Sequence, residues 1–408
     1  MIFSQDLKSC FRKEKQDFSR KPILSFSNLI LYFLNFCKNS YQDELDHFFT
    51  QIEDSKFLLR KVTKGALSQA RSKLDPQVFL YLIKKSQDFI ENHLSLDTWC
   101  GFRLLAVDGS TLYLHQNPEN QKHFSCQSNQ HKDVTMARVS QCFDVLNGFT
   151  QDIQLSAYST GERDLLSYHC MNLPQNSLLL LDRGYPSYQV FYQFLEQEQD
   201  FVARVPISFN TTISAFLEST EQDSLVSFPR PKALKNLPPH ITVRLIKVKL
   251  EKSTEILVTS LLDSKLYPQE IFKDLYQQRW PVEEDYKKVK SSIQVENFSG
   301  KSVHSVYQDV YAKVLSKNIT IALMNPLKPE VEELTKTRKY SYKMNLNHAL
   351  SKMKHNIIHL LTGQHIEDCL DALSKLWTHT LEPIRKGRTY PRIIKNEYRY
   401  PIGYKPLC

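Results

Sequence analysis

The stretch SLLLLDRGY, residues 177–185, constrains the fold more than any other part of the chain. Its uninterrupted leucines predict a short strand buried on both faces, as in a sheet that has helices over it. The run ends at Asp182, and Asp and Gly commonly form the turn after a strand. In sheets of this kind, functional groups gather at strand ends. Asp182 is therefore a candidate functional carboxylate, although an ordinary turn explains it equally well.

The sequence around this strand predicts a mixed sheet with helical cover. Strands are predicted in FRLLAVDGSTLYL (102–114), VTMARVSQCFDVL (134–146) and FTQDIQLSAYS (149–159), the last two joined through the hairpin signal Asn147-Gly148. A helix, the leucine strand, a second helix and the strand DFVARVP (200–206) follow. This order indicates an α/β fold. Asp108 lies near the predicted end of the first strand, as Asp182 does in the fourth.

Residues 1–96 are predicted to be helical. Thr63 can cap a helix, and Pro76 is suited to open the next one. The segment Lys61–Lys73 is basic and amphipathic, which fits either a helical domain that grips DNA or an ordinary helical hairpin.

Residues 207–265 differ in sequence pattern from the predicted sheet that precedes them. HITVRLIKVKLEKSTEILVTSLLD, residues 240–263, predicts two strands, so the block is interpreted as a β-rich insertion. Further helices are predicted at about 302–326 and 345–362. In the last 24 residues, basic side chains outnumber acidic ones seven to one, which favours contact with nucleic acid over a merely solubilising tail.

The composition of the 408-residue chain narrows the class of protein. A formal net charge of +9 favours an anionic partner. The eight cysteines are scattered without a CxxC pair, as expected in a reducing compartment. The N-terminus has no signal-peptide core, and no stretch is long and apolar enough to span a membrane. We expect a cytoplasmic, nucleoid-associated protein of bacterial type with no membrane partner.

The charged stretch YQQRWPVEEDYKKVK, residues 276–290, predicts a helix that begins at Pro281. Val282, Tyr286, Val289 and Ile293 form one apolar stripe at helical spacing. Glu283 shares another face with Lys287 and Lys290. Taken alone, such a run is usually a solvated face with Glu–Lys pairs.

Carboxylates held together at one sheet edge raise each other's pKa and destabilise the fold unless a cation offsets their charge. Oxygen ligands suit hard ions such as Mg²⁺ and Mn²⁺. Two such ions about 4 Å apart activate a water or a 3′-hydroxyl and stabilise the leaving oxygen of a phosphodiester. Phosphoryl transfer of this kind therefore requires acids from separate elements that meet at one point.

A family resemblance makes this interpretation specific. Tyr276, Arg279, Glu283 and Lys290 match the pattern Y-x2-R-x3-E-x6-K, the signature of DDE transposases of the bacterial insertion-sequence "IS-four" family. AVDGST around Asp108 and LLLDRGY around Asp182 resemble the family's two aspartate regions, and VTKGALSQAR, residues 62–71, resembles its N-terminal segment.

The resemblance implies an α/β, RNase H-like catalytic core with a β-rich insertion, an N-terminal helical domain and a helical C-terminal region. The implied boundaries are 1–96 for a DNA-binding domain, 97–206 and 266–330 for the two parts of the core, 207–265 for the insertion, and 331–408 for the C-terminal region with its basic tail.

The resemblance also implies the chemistry. Asp108, Asp182 and Glu283 would be catalytic and would hold two Mg²⁺ ions, for which Mn²⁺ substitutes. Glu284 and Asp285 would be surface charges or salt-bridge partners. The DNA contacts would come from Tyr276, Arg279, Lys290, Arg183 and Trp280.

The implied function is cut-and-paste transposition. A homodimer would bind the element's terminal inverted repeats in double-stranded DNA, cleave them and transfer the strands to target DNA. Trp280 would either stack on a flipped base during a hairpin step or anchor the helix start as a buried residue. Two alternatives remain at this point: an RNase H-like nuclease that never joins DNA, and an inactive DNA-binding protein.

Overall fold

The computed structural model describes residues 1–20, 22–37, 39–128, 133–250 and 253–385. Most of the basic C-terminal tail, residues 386–408, lies outside them, and so does its predicted contact with nucleic acid. The described residues form two compact units. The first contains Met1–Ser95, Leu112–Ala137 and the described residues from Lys287 onward, and the second contains Leu96–Thr111 and Arg138–Tyr286.

The helices of the described residues are α1 (Gln5–Phe11), α2 (Phe26–Leu34), α3 (Tyr41–Ile52), α4 (Lys64–Arg71), α5 (Gln77–His93), α6 (Pro118–Phe124), α7 (Glu162–Cys170), α8 (Tyr188–Glu196), α9 (Thr211–Glu218), α10 (Ile271–Gln277), α11 (Pro281–Ser291), α12 (Val303–Met324), α13 (Lys328–Thr335), α14 (Leu346–Met353), α15 (Ile357–Thr362) and α16 (Ile366–His379).

The strands are β1 (Arg103–Tyr113), β2 (Cys126–Ser128), β3 (Asp133–Asp144), β4 (Thr150–Ala157), β5 (Ser177–Leu181), β6 (Asp200–Val205), β7 (Asp223–Pro229), β8 (His240–Lys249), β9 (Thr254–Thr259), β10 (Tyr342–Met344) and β11 (Leu381–Pro383). The last two form a small antiparallel pair. The fold is mixed α/β with a large sheet, as the sequence predicts.

The large sheet has the strand order β2-β3-β1-β5-β6-β9-β8-β7, with β4 paired to β3. Strands β1, β5 and β6 run parallel, while β6, β9, β8 and β7 form an antiparallel series. All five residues of β5 are buried. The prediction of a strand covered on both faces is therefore confirmed.

The block 207–265 contains helix α9 and strand β7 in addition to the two predicted strands, β8 and β9. Because β9 pairs with β6, this block extends the large sheet. Its apolar residues join those of β5 and α8 in one core, where the rings of Phe191 and Phe201 stack at 5.0 Å.

The first unit is built around α12, a helix buried along most of its length, which packs against α2, α5 and α14. Thr63 caps α4 as predicted, and its hydroxyl accepts a hydrogen bond from the backbone N–H of Ala66 at 3.3 Å. The helix predicted at 345–362 is divided into α14 and α15. The Asn356 side chain donates to the Lys352 carbonyl at the break, which competes with helix continuation.

Candidate active site

Asp108 and Asp182 occupy equivalent positions on neighbouring parallel strands. The register pairs Val107 of β1 with Leu181, the last residue of β5, and each aspartate is the next residue along the chain. Parallel neighbours lie about 4.8 Å apart. The two backbone segments therefore come side by side at one edge of the paired region, as the sequence predicts.

The position of Asp108 within its strand differs from the prediction. Asp108 does not end β1, which continues to Tyr113. The reason is that β1 also has β3 as a neighbour, and the end of its pairing with β5 does not end the strand.

Asp182 is held by an arginine that the sequence analysis missed. The Arg204 guanidinium donates to Asp182 Oδ1 from Nη2 at 2.6 Å and from Nε at 2.9 Å. Arg204 also donates to Glu255 on β9. Burial alone would raise the pKa of Asp182, but the backbone N–H of Arg183 and the Arg204 side chain outweigh it and hold the pKa below its ordinary value. Asp182 is thus fixed as an anion.

Glu283 lies in the first turn of α11 and is paired with Arg279. The Arg279 Nη2 donates to Glu283 Oε1 at 2.7 Å, and the Arg279 side chain is only 2% exposed. Its Nε and Nη1 have no hydrogen-bond partner among the described residues. Buried donors without a partner are costly, so this guanidinium is an unusual feature of the fold.

Asp108 shares an electrostatic environment with Glu283. Burial raises the pKa of Asp108 to about 6; Arg279 lowers it, and the negative charges of Glu283 and Glu162 raise it. Arg279 also acts on Asp182, where it lowers the pKa. One buried cation, Arg279, therefore pairs with Glu283 and also lowers the pKa of both aspartates.

The predicted DNA-binding residues differ in exposure. Tyr276 is buried, and its hydroxyl donates to the Leu181 carbonyl at 3.3 Å and to Asp182 Oδ1 at 3.4 Å. The Arg183 side chain is 53% exposed and lies 3.5 Å from Glu255. Lys290 is partly buried near the end of α11 and belongs to the first unit.

Trp280 is 56% exposed, so the alternative of a buried anchor at the helix start is wrong. Its ring lies 5.4 Å from the Arg279 guanidinium carbon. The predicted apolar stripe of α11 is confirmed, because Val282, Tyr286 and Val289 are buried.

The two acids after Glu283, predicted to be surface charges or salt-bridge partners, differ in exposure. Glu284 is exposed, as expected. Asp285 is only 3% exposed and accepts a 2.8 Å hydrogen bond from the Gln141 side chain, so it is not a surface charge. Successive residues of an α-helix are rotated by about 100°, so Asp285, two residues after Glu283, lies on a different face of α11, toward the sheet. The charge pattern alone does not reveal this.

Glu162, the first residue of α7, is a further acid that the sequence analysis missed. Arg138 Nη1 donates to its Oε1 at 3.0 Å. Its carboxylate lies against Gly109 and Gly184, the glycines that follow the two aspartates. The signal for Glu162 and Arg204 is weak in the sequence, because both act through partners distant along the chain.

The acids are not gathered tightly enough to form a closed metal site. Within the ranges described, no group of three or more histidine, cysteine, aspartate or glutamate side chains lies close enough to hold a metal ion. Two of the three predicted ligands are instead paired with Arg204 and Arg279. In the same ranges, no helix is long and apolar enough to cross a bilayer.

Comparison with known proteins identifies the class that this site defines. The sequence profile described as "Transposase DDE domain" matches residues 99–319, more than half of the chain. The chain belongs to this family and is a DNA transposase, an enzyme of the polynucleotidyl transferase class. A DDE domain implies dependence on a divalent metal.

Individual relatives place the chain within the family. It is 22% identical over 355 residues to the transposase InsG for insertion sequence element IS4 of Escherichia coli (strain K12), a match that covers 84% of this chain and 79% of InsG. The predicted membership of the IS4 family is therefore confirmed. A cryo-EM structure of the piggyBac transposase synaptic complex with hairpin DNA aligns with 94% of this chain and 82% of that chain, at 10% identity and a TM-score of 0.40.

Proposed function

We propose that the chain binds the terminal inverted repeats of its own element, cuts the DNA there and joins the freed 3′ ends to target DNA. Asp108, Asp182 and Glu283 are the catalytic acids. The observation that supports this most is the joint position of the acids: two aspartates at equivalent points of paired parallel strands, and a glutamate whose arginine partner interacts with both. Separate elements thus supply three carboxylates to one site.

The donor set fits hard divalent cations. Asp108 is disfavoured as an anion by burial and by neighbouring negative charge, and a cation would offset that cost. Two Mg²⁺ ions, or Mn²⁺ in their place, would be held by the three acids and would supply activation of the attacking oxygen and stabilisation of the leaving one. For Asp182 and Glu283 to serve as ligands, their hydrogen bonds with Arg204 and Arg279 must be shared or released.

Arg279 is suited to bind a DNA phosphate. Its Nε and Nη1 lack partners in the described structure, and a phosphate oxygen accepts such donors in a planar, bidentate geometry. When Arg279 turns toward a phosphate, it frees Glu283 at the point where the reaction occurs. Tyr276, Lys290 and Arg183 complete the set of residues that we propose to contact the phosphates near the cut.

Trp280 is suited to hold a base outside the duplex. Its large ring is mostly exposed, directly before the helix that carries Glu283. Stacking of a base on an aromatic face contributes about 1–3 kcal/mol, enough to offset much of the cost of unstacking. We therefore propose that second-strand cleavage passes through a DNA hairpin in which Trp280 stacks on the extruded base.

We also propose a fold type for the catalytic core, an oligomeric state and a DNA-binding domain. The strand order β4-β3-β1-β5-β6, with helical crossovers to the parallel strands β5 and β6, supports an RNase H-like core. Cutting two element ends together requires two active sites, so we propose a homodimer on DNA. We also propose that residues 1–96 bind DNA, and that the protein is nucleoid-associated.

The test uses labelled linear DNA that ends in the element's own inverted repeat, with Mg²⁺ or Mn²⁺. Glu283→Gln keeps the size of the side chain but removes its charge, and should slow cleavage by about 10³-fold or more. Glu284→Gln is the matched control, because Glu284 is the exposed neighbour on the same turn. It should cut like the wild type.

Each outcome has a definite meaning. Equal loss in both variants would remove Glu283 from its assigned role. Wild-type protein that binds the repeat but cuts with neither metal would be a DNA-binding protein without catalysis. Cleavage without strand transfer to an added target plasmid would identify a nuclease. Hairpin-ended product would support the role proposed for Trp280.

A further inference from the structure

Glu162 is an acid that lies between the two aspartate segments without belonging to the DDE set. Its Oε1 is 2.8 Å from the point where a Cβ on Gly109 would stand, and its Oε2 is 3.0 Å from the corresponding point on Gly184. Gly109 follows Asp108 directly, and Gly184 belongs to the turn after Asp182. The carboxylate therefore occupies the space that two missing side chains leave free.

The start of α7 holds the same turn by a second route. The Arg163 Nε donates to the Gly184 carbonyl at 3.1 Å, and its Nη2 donates to the Pro186 carbonyl at 2.9 Å. Glu162 is itself fixed, because Arg138 Nη1 donates to it at 3.0 Å while Arg138 Nε donates to the Tyr158 carbonyl at 3.2 Å. Adjacent residues of one helix thus brace the turn that follows Asp182.

We propose that Glu162 is a positioning residue. Its carboxylate acts as a spacer between the Gly109 backbone and the Gly184 turn, and so holds the turn after Asp182 in place beside the β1 segment that carries Asp108. A methyl group at position 109 would displace the tip of the Glu162 side chain, whose Oε1 lies 2.8 Å from that point. A methyl group at position 184 would shift the carboxylate less, because Oε2 lies 3.0 Å away. The inference rests on the proposed function, because it assigns the two aspartates to one reaction site.

Two substitutions of Glu162 separate the effect of its side-chain volume from the effect of its charge. Glu162→Gln keeps the volume of the spacer, whereas Glu162→Ala removes it. Displacement of a reacting group by about 1 Å costs on the order of 100-fold in rate. Glu162→Ala should therefore lower kcat for repeat-end cleavage by about 10- to 100-fold, and should raise the half-saturating Mn²⁺ concentration. Glu162→Gln should stay within about threefold of the wild type in both quantities.

Two further measurements separate positioning from general damage. Calorimetric Mn²⁺ binding to the full-length protein without DNA should weaken in Glu162→Ala and not in Glu162→Gln, whether or not the preparation cuts. Gly109→Ala should reproduce the defect of Glu162→Ala, and the double variant should be no worse than either single one, since both remove the same contact. Unfolding midpoints identify variants that fail to fold.

The outcomes distinguish the proposal from the function on which it rests. If Glu162→Gln is as defective as Glu162→Ala, the charge matters rather than the shape, and the spacer proposal is wrong. It is equally wrong if Glu162→Ala keeps wild-type Mn²⁺ binding and kcat. If wild-type protein binds Mn²⁺ but never cuts, the proposed function fails, while the binding series still tests the spacer.

Discussion

Two buried arginines, one in each compact unit, differ in how many of their hydrogen-bond donors the fold satisfies. Arg71 of α4 donates from Nε to Gln308, from Nη1 to Ser299 and from Nη2 to Asp309, at 3.1, 3.1 and 3.3 Å. Arg279 is also buried, yet among the residues that the structure describes only its Nη2 has a hydrogen-bond partner, Glu283.

The difference in hydrogen bonding indicates how much each arginine contributes to the stability of the fold. A guanidinium whose donors all meet protein acceptors is satisfied by the fold itself, and its removal damages the fold. A guanidinium with donors left over stabilises the fold less and can still bind an oxyanion. Arg71, in the segment VTKGALSQAR, is therefore a structural link between α4 and α12. The unpartnered donors of Arg279 support the phosphate-binding role that we propose for it.

The largest expected effect is on the stability of an Arg71→Met variant. Asp309, 4% exposed, would be left as an unpaired buried charge, and losing one partner of a buried pair costs about 3–5 kcal/mol in the free energy of unfolding. Urea denaturation measures the loss. Lys375→Met is the control, because Lys375 pairs with Asp371 at the surface of the same unit, where both side chains are exposed, and its removal should change the midpoint far less.

Arg279→Met should slow DNA cleavage strongly and change the stability of the protein little, the reverse of what we expect for Arg71→Met. The guanidinium donors are lost where the phosphate is proposed to bind, so the cleavage rate should fall by about 10²- to 10³-fold. The unfolding midpoint should change little, since Glu283 is 33% exposed and water can solvate it. Single-turnover cleavage and thermal unfolding on the same preparation check this. Arg279→Lys should recover part of the cleavage rate that Arg279→Met loses. If Arg279→Met lowers the unfolding midpoint as much as Arg71→Met does, the two arginines do not differ in their contribution to stability.

Trp280→Ala tests the surface beside Arg279. Loss of base stacking, about 1–3 kcal/mol, should slow the hairpin step by about 5- to 150-fold and leave first-strand nicking nearly unchanged. Denaturing gels resolve the two products. Trp280→Phe retains an aromatic face and should keep most of the activity. Equal slowing of both steps by Trp280→Ala would place the tryptophan in general DNA binding instead.

The sequence predicts the parts of this site that depend on local pattern. Asp108 and Asp182 each follow an apolar run that forms strand, and Glu283 lies on a helix whose apolar stripe is periodic, so their elements could be predicted. The burial of Asp285 and the clamp of Arg204 on Asp182 could not, because each depends on a partner at least 22 residues away. The same holds for Arg71, whose basic charge suggested DNA although its partners lie on α12 and just before it.

The smallest expected effect is on the DNA affinity of a Lys64→Ala variant. This variant tests whether α4 contacts DNA in addition to packing within its unit. Of the basic residues in its segment, Lys61 pairs with Glu53 and Arg71 with Asp309, while Lys64 is exposed at the start of the helix. If α4 also contacts DNA, Lys64→Ala should weaken repeat binding by a few-fold and lower the slope of log affinity against log salt by about 0.9, the contribution of one phosphate. Fluorescence anisotropy over a salt series measures both. Lys336→Ala, which removes an exposed lysine directly after α13, is the control. An unchanged slope for Lys64→Ala would limit α4 to the support of α12.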